Sequence, residues 1–304
     1  MVLDPESLYE VDSDVPDLRG AVLLHYFDGF VDAGSAGKIL ADHLVSEHGD
    51  RVIARFDVDQ LLDYRSRRPP MVFDTDHWVE YEAPELVVHL LHDEDDKPFL
   101  LLTGPEPDHA WEAFTAAVQS LVERWEVRLF AGFRGIPLGV PHTRPMSITA
   151  HGTRPELIAG HRSMFNRLQV PGGVANLLEY RLGQAGQDAM GLIAHVPHYL
   201  AQSAYPVAAQ SLADALSIAT GLVFDTEDLR EAAELAKAEV DRQVSSSEEV
   251  ADVVAALERQ YDTFVEAEGR ESLLAEALEE LPTADELGSE FERFLAEQQG
   301  HSDH

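Results

Sequence analysis

Residues 21–46, AVLLHYFDGFVDAGSAGKILADHLVS, place a strand, a turn and a helix in direct succession. The apolar run Ala21–Phe27 predicts the first strand, and Gly34–Ser46 carries apolar residues at helical spacing. The same alternation of short apolar runs and helical patterns continues over about the first 222 residues. We therefore predict an α/β domain built on a parallel sheet.

Further elements follow this alternation along the chain. Pro98–Thr103 is closed by glycine and proline, which is typical of a strand buried on both faces. Leu86–Leu91 is short and nearly all apolar, so its pattern fits a strand or a helix. Asp108 is the predicted N-cap of the next helix. The remaining predicted elements are the strands Val52–Val58, Val127–Phe133 and Met190–Val196, and a helix from about Tyr205 to Thr220 that ends at Gly221.

The sequence changes character after Gly221. Residues 223–304 contain 24 acids and 6 cations, a net charge of −18, which leaves −16 for the first 222 residues. We divide the chain into an α/β domain (1–222), an acidic helical region (223–299) and a frayed tail (300–304). The acidic helix faces are interpreted as solvated surface, with docking of a basic partner as the alternative. Helices are predicted after Asp225, at the capping patterns Ser246–Glu249 and Thr283–Glu286, and over Leu273–Leu281.

The overall charge excludes several classes of function. Asp and Glu number 56 against 22 Lys and Arg, a formal net charge of −34. Because phosphate affinity comes from clustered cations, we expect no nucleic-acid partner and no anionic membrane partner. No cysteine is present, which excludes disulfides and cysteine nucleophiles. Neither a secretory leader nor a long apolar run is found, so we expect a cytoplasmic protein.

The turn between the first strand and the first helix is a candidate ligand site. Ligands of open α/β sheets bind beyond the carboxyl ends of the strands, and glycines let a backbone approach closely. The spacing is neither G-x-G-x-x-G nor a P-loop. The alternative, which we favour, is a structural turn in which Asp32 caps the helix. The candidate residues are Asp28, Gly29, Asp32, Gly34 and Ser35.

A second candidate is a local reversal of charge. Residues 127–178 contain six arginines and one acid, a net charge of +5 in an acidic chain. Such arginines suit an anionic ligand, held by paired guanidinium contacts. The alternative, which we favour, is that they pair with carboxylates within or between subunits. The residues singled out are Arg134, His142, Arg144, His151 and Arg154.

Histidines at the end of the Met190–Val196 strand form a third candidate. His195 and His198 are separated by Val-Pro, and Pro197 excludes the helical i, i+4 pair of metalloproteases. We therefore predict structural histidines bonded to the backbone, with no metal and no cofactor. The chain has no Gly-x-Ser-x-Gly elbow, so its catalytic residues stay unassigned.

Several motifs in order resemble the proteasome assembly chaperone 2 family, in its actinobacterial branch, over roughly residues 8–265. The resemblance implies a phosphorylase/hydrolase-like three-layer α/β/α sandwich with a C-terminal helical element. It also implies a homo-oligomer such as a trimer. The motifs that carry it are Asp28–Gly34, Phe56–Met71, Leu101–Asp108, Gly135–Pro137, Pro141–Pro145 and Ala194–Leu200.

The resemblance implies a non-enzymatic assembly chaperone or scaffold, with proteasome core subunits as candidate partners. Eukaryotic and archaeal relatives often dock through a C-terminal hydrophobic-Tyr-any motif, whereas residues 301–304 read HSDH, so docking through that motif is not expected. The alternative is a small-molecule hydrolase or phosphorylase-like enzyme. Its anion-binding cleft would join the Asp28–Gly37 turn with the Arg134–Arg154 loops.

Overall fold

A computed structural model describes residues 4–49, 51–160 and 167–279. Its strands are β1 (Tyr9–Val11), β2 (Val22–Asp28), β3 (Arg51–Phe56), β4 (Met71–Asp74), β5 (His77–Tyr81), β6 (Val87–His92), β7 (Pro98–Pro105), β8 (Leu129–Leu138), β9 (Ile148–Gly152) and β10 (Ala189–Pro197). Its α-helices are α1 (Ala36–His48), α2 (Val58–Leu61), α3 (Trp111–Arg124), α4 (Val174–Gln184), α5 (Pro206–Thr220), α6 (Glu227–Ser245) and α7 (Glu248–Glu279).

Eight strands form one mixed sheet in the order β1-β3-β6-β7-β2-β8-β10-β9. The four central strands β7, β2, β8 and β10 are parallel. The outer strands β9, β6, β3 and β1 pair antiparallel with their neighbours. The predicted parallel sheet is therefore correct for the centre and wrong for both margins, because local hydrophobic patterns do not report strand direction. Strands β4 and β5 form a separate two-stranded sheet.

The sheet lies between two helical layers, as the predicted α/β/α sandwich requires. Successive residues of β2 belong to different cores: Leu24 packs with α1 and α5, and Leu23 packs with α3 and α4. This alternation follows from the two-residue period of a strand, which sends neighbouring side chains to opposite faces. Both faces of β2 are consequently buried, in line with its almost continuous apolar sequence.

Several predicted boundaries are corrected by the backbone. Helix α1 begins at Ala36, not at Gly34, because Gly34 and Ser35 both adopt positive φ angles of 70° and 50°. The ambiguous run Leu86–Leu91 is a strand from its second residue onward, within β6, and the strand predicted over Val52–Val58 ends at Phe56.

The predicted N-cap role of Asp108 is wrong. Helix α3 starts at Trp111 after Ala110, which has a left-handed backbone. The Asp108 carboxylate instead accepts a hydrogen bond from the Asp63 N–H at 2.8 Å and pairs with Arg67 at 3.1 Å. The Asp108 carboxylate thus binds groups of a neighbouring loop and not the N–H groups at the start of α3.

The C-terminal part is helical, as predicted. Helix α6 packs on α5, and the chain forms two compact units, Met1–Ala251 and Asp252–His304. Helix α7 is continuous over 32 residues, where two helices were predicted. The Ser247 hydroxyl, not that of Ser246, accepts the Val250 N–H at 3.4 Å. The Thr283–Glu286 pattern and the tail 300–304 lie outside the described residues.

Candidate functional site

The turn after β2 is held together by the carboxylate of Asp32. Its Oδ1 accepts hydrogen bonds from the backbone N–H groups of Gly37 and Gly135, both at 2.9 Å, and its Oδ2 accepts from the Lys38 N–H at 3.0 Å. Asp32 thus caps α1 and ties that helix to β8. Because three donors already occupy the carboxylate, the geometry agrees with the structural alternative for this residue.

The glycines of the same turn allow close approaches within the fold. Gly29 has φ 133°, and a Cβ there would meet the Arg67 guanidinium, which donates to the Asp28 carbonyl at 3.2 Å. Gly34 has φ 70° and faces the side chain of Tyr205. Ser35 is exposed, and the hydrogen bond given for it is from its backbone N–H to the Asp32 carbonyl at 3.1 Å.

A polar cavity lies elsewhere, between the sheet and α4. It offers about 50 Å³ to the centres of water-sized molecules, which is room for about three to five waters. Apolar side chains, including Phe30 and Phe133, form part of its wall. Its polar lining is supplied by His25, Glu106, Arg134, His151, Asn176 and Glu179.

Arg134 projects from β8 into this lining and is half-buried. Its Nη2 is 3.4 Å from Asn176 Oδ1, a long hydrogen bond, and its guanidinium lies 5.8 Å from the centroid of the Phe30 ring. Among the described residues it forms no ion pair. Burial lowers the pKa of Arg134, and the charges of Glu106, Glu179 and Asp32 oppose that shift.

The carboxylates that line the cavity are already engaged. Glu106 Oε1 accepts the backbone N–H of Val174 at 2.7 Å, at the first residue of α4. Glu179 holds His151 Nδ1 at 2.8 Å and 2.9 Å through its two oxygens. Negative charge therefore surrounds Arg134 without contacting it directly.

Two histidine rings lie against glycines of the central strands. A Cβ at Gly132 would come closer than 3.0 Å to the His25 ring, and one at Gly191 would do the same to His151. His25 is 5% exposed, stacks on Phe130 at 4.4 Å, and its Nδ1 has no hydrogen-bond partner among the described residues. Burial, aided by the charge of Arg134, lowers the pKa of His25 to about 3, so its ring is neutral at pH 7.

A second polar cluster surrounds the end of β10 and is fully hydrogen bonded at its histidines. His195 contacts the Ser147 hydroxyl at 2.9 Å through Nδ1 and the Thr149 hydroxyl at 2.8 Å through Nε2. Burial lowers its pKa to about 4. The buried His142 contacts Tyr199 Oη at 2.7 Å and Asp241 at 3.1 Å. The prediction that His195 bonds to the backbone is therefore wrong for its ring, which bonds to hydroxyls.

The remaining predicted residues are dispersed around these two clusters. Arg144 lines a small cavity together with His142 and His195, whereas Arg134 and His151 line the cavity under α4. Arg154 is exposed and pairs with Asp188 through an Nε–Oδ1 bond of 2.6 Å. His198 is exposed at the start of a 3-10 turn. Arg134, Arg144 and Arg154 thus lie in three different surroundings, two in separate cavities and one in a surface ion pair.

Sequence reasoning missed His25, Glu106, Asn176 and Glu179. The available signal was glycine inside strands, since Gly132 and Gly191 interrupt apolar runs and such glycines mark a close approach of another group. In the described ranges, no group of three His, Asp or Glu side chains is placed to hold a metal ion. No described helix is long and apolar enough to cross a bilayer.

Comparison with known proteins identifies relatives of the whole α/β body. A Mycobacterium tuberculosis protein of unknown function is 46% identical, with a TM-score of 0.84 over 88% of this chain and 92% of that one. A Corynebacterium glutamicum protein of unknown function is 36% identical, with a TM-score of 0.82 over 86% and 99%. A Mycobacterium tuberculosis proteasome-assembly chaperone homologue is 23% identical, with a TM-score of 0.71 over 77% and 99%.

No curated protein matches the chain. The sequence profile of the PAC2 family matches residues 26–244. That range begins within β2 and ends in α6, so it contains β7, β8, β10 and both polar clusters except His25. The chain belongs to the PAC2 family, as the motifs in its sequence indicated.

Proposed function

We propose that this chain is a non-enzymatic, chaperone-like assembly or scaffold protein of the cytoplasm that acts as a homo-oligomer. The observation that carries the proposal is the β4–β5 hairpin, every residue of which is exposed. Exposed apolar patches of this kind mark interaction surfaces in soluble proteins. Its large exposed apolar side chains are Met71, Val72, Phe73, Trp78, Val79 and Tyr81.

The hairpin needs a partner for its own stability. A two-stranded hairpin is at best marginally stable in water unless another surface packs on it. The edge-on contact of Phe73 and Trp78, at 5.1 Å between ring centroids, leaves Trp78 61% exposed. The faces of the hairpin that remain in water are therefore available to a second subunit.

We assign that second subunit to another copy of this chain. A separate apolar patch is formed by Leu168 and Val170, which are 62% and 64% exposed next to Arg167. This patch lies in the cationic segment 127–178, whereas the hairpin carries Asp74, Asp76 and Glu80. The hairpin and the Leu168–Val170 patch are thus both apolar, and the charges beside them are opposite in sign. Such a head-to-tail contact generates a closed ring, for example a trimer, when its rotation closes.

The oligomeric state tests this proposal directly. The wild-type chain should have an oligomeric mass by light scattering at micromolar concentration. The double substitution Phe73→Ser and Trp78→Ser should convert it to monomer, because it removes the touching aromatic pair from one face of the hairpin. Ile218→Ser is the matched control, since Ile218 is 81% exposed on α5 and lies outside both patches. A monomeric wild type, or an unchanged mass in the double variant with native circular dichroism, would refute self-association through the hairpin.

Proteasome core subunits are the proposed partners of the assembled ring. The support is the family and the fold shared with the proteasome-assembly chaperone homologue. The tagged protein should enrich core subunits from its own host in stoichiometric amounts, measured by quantitative mass spectrometry. Recovery of the chain alone would contradict the proteasome partner while leaving the homo-oligomer in place.

A further inference from the structure

We propose that the cavity between the sheet and α4 binds a small monocarboxylate, whose charged group pairs with Arg134. This site is independent of the hairpin and goes beyond the proposed assembly function. It follows from two polar groups in the cavity wall, the half-buried Arg134 and the buried His25, which lack the partners that such groups normally have.

The first of these groups is the guanidinium of Arg134. It carries five N–H donors, and the single hydrogen bond given for it is the long contact to Asn176. Burying a cation without a direct counter-ion is costly, which is why buried charges are normally paired. A carboxylate matches the guanidinium fork with two parallel hydrogen bonds. A bound carboxylate would therefore supply the ion pair that the described residues do not.

The neighbouring acids cannot easily fill that role because they are committed elsewhere. Asp32 accepts three backbone N–H groups, Glu106 accepts the Val174 N–H, and Glu179 holds His151. None of these carboxylates forms an ion pair with the guanidinium, and Asp32 and Glu179 already use both of their oxygens. The arrangement keeps the guanidinium available while its charge remains partly balanced at longer range.

The second group is His25, whose unpartnered Nδ1 belongs to a side chain that is nineteen-twentieths buried and lines the same cavity. That nitrogen has almost no surface open to solvent, so the ring of His25 forms part of the neutral wall of the cavity. The guanidinium of Arg134 is therefore the group that binds the ligand carboxylate.

Cavity size and charge define the class of ligand. Room for about three to five waters corresponds to a molecule of about that many non-hydrogen atoms. Glu106 and Glu179 lie close enough to act on the charge of Arg134, so they disfavour a dianion such as phosphate. The apolar wall, including Phe30, suits the carbon end of the ligand. A monocarboxylate of the size of acetate or glycolate fits all three conditions.

Binding is tested on the full chain by calorimetry and by thermal unfolding with acetate, glycolate and inorganic phosphate, at constant ionic strength set with chloride. Saturable binding of a monocarboxylate with a raised Tm is expected, because a ligand that binds only the folded state stabilises it. No saturable monocarboxylate binding below about 10 mM, a weak affinity even for so small a ligand, would overturn the proposal. Tighter binding of phosphate than of either monocarboxylate would overturn it as well.

Substitutions test whether the monocarboxylate binds at Arg134. Arg134→Gln should weaken monocarboxylate binding about tenfold or more, since it removes a charge-assisted pair. The matched control is Arg154→Gln, which removes an exposed arginine outside the cavity and should leave the affinity unchanged. Equal affinity in wild type and Arg134→Gln, or an equal loss in both variants, would refute the assignment.

Two measurements keep the test valid if Arg134→Gln does not fold. Arg134→Lys keeps the charge and should still weaken binding, because an ammonium lacks the planar fork. In the wild-type chain, the ¹⁵N side-chain resonance of Arg134 should shift on titration with acetate, and an unmoved resonance would contradict direct contact. Oligomeric mass, measured in parallel, separates failure of this site from failure of the hairpin contact.

Discussion

Two polar clusters beside the central strands differ in how completely their members are hydrogen bonded. In the cluster at the end of β10, both ring nitrogens of His195 contact hydroxyls, and both ring nitrogens of His142 have partners. In the cavity under α4, Arg134 has one long hydrogen bond and His25 Nδ1 has none among the described residues. The first cluster holds the fold together, whereas the second leaves hydrogen-bonding capacity for a ligand.

The largest expected effect is a difference in stability when one histidine of each cluster is replaced by leucine. His195→Leu should destabilise the fold by about 1–3 kcal/mol, because it leaves the Ser147 and Thr149 hydroxyls without their ring partner. His25→Leu should cost less, since no hydrogen bond to Nδ1 is lost. Urea unfolding of both variants measures the difference. An equal or larger loss in His25→Leu would abolish the distinction between the clusters.

The glycines under the cavity histidines give the next effect. Gly132→Ala should destabilise the fold by about 1–3 kcal/mol, because the new methyl group meets the His25 ring closer than 3.0 Å. In the double variant Gly132→Ala with His25→Ala, most of that loss should be recovered, since the space of the ring is then free. A double-mutant cycle by urea unfolding measures this coupling. Additive losses would show that the ring does not occupy the space above Gly132.

Stability should also fall as the solution is acidified, through the buried histidines. The pKa of His25 is about 3 in the folded chain against an ordinary value of 6.5, so the unfolded state binds more protons between those values. Stability from this group is complete above about pH 6.5 and is lost progressively as the pH falls toward the folded value. The slope for one proton is about 1.4 kcal/mol per pH unit.

The control for this titration is His25→Leu, whose stability should change less steeply with pH than that of wild type from pH 6.5 down to pH 5. Other titrating groups act equally in both proteins, so the difference of the two profiles reports His25. Parallel profiles would show that folding does not lower the pKa of His25, and the burial of its ring would then be refuted.

The sequence predicts the fold better than the site, for a physical reason. Periodicity and turn residues are local, so the central strands and the helix that Gly221 ends are correctly predicted. Strand direction at the sheet margins and the β4–β5 hairpin depend on pairing between distant segments, and neither was predicted.

The candidate site shows the same limit. Arg134 and His151 stand out because they lie in a cationic segment of an acidic chain. His25 lies within an apolar strand, and Glu106 follows a buried one, so neither residue carries a local pattern that marks it as functional. Only the parallel pairing of β2 with β7 and β8 brings these residues to one cavity. At the Asp32 turn, by contrast, the same glycines and acids suit a ligand site and a helix cap, and the structure shows the cap.

The smallest expected effects on stability come from replacing one hydrogen-bonding side chain in each cluster. Asn176→Ala should change stability by less than about 0.5 kcal/mol, because its contact with Arg134 is 3.4 Å long. Tyr199→Phe should cost about 0.5–1.5 kcal/mol, since its hydroxyl contacts both the N–H and the Nδ1 of His142. Chemical unfolding of the two variants gives the order. If Asn176→Ala proved the costlier substitution, Asn176 would be a structural partner of Arg134. The polar groups of the cavity would then be as fully hydrogen bonded as those of the cluster around His195.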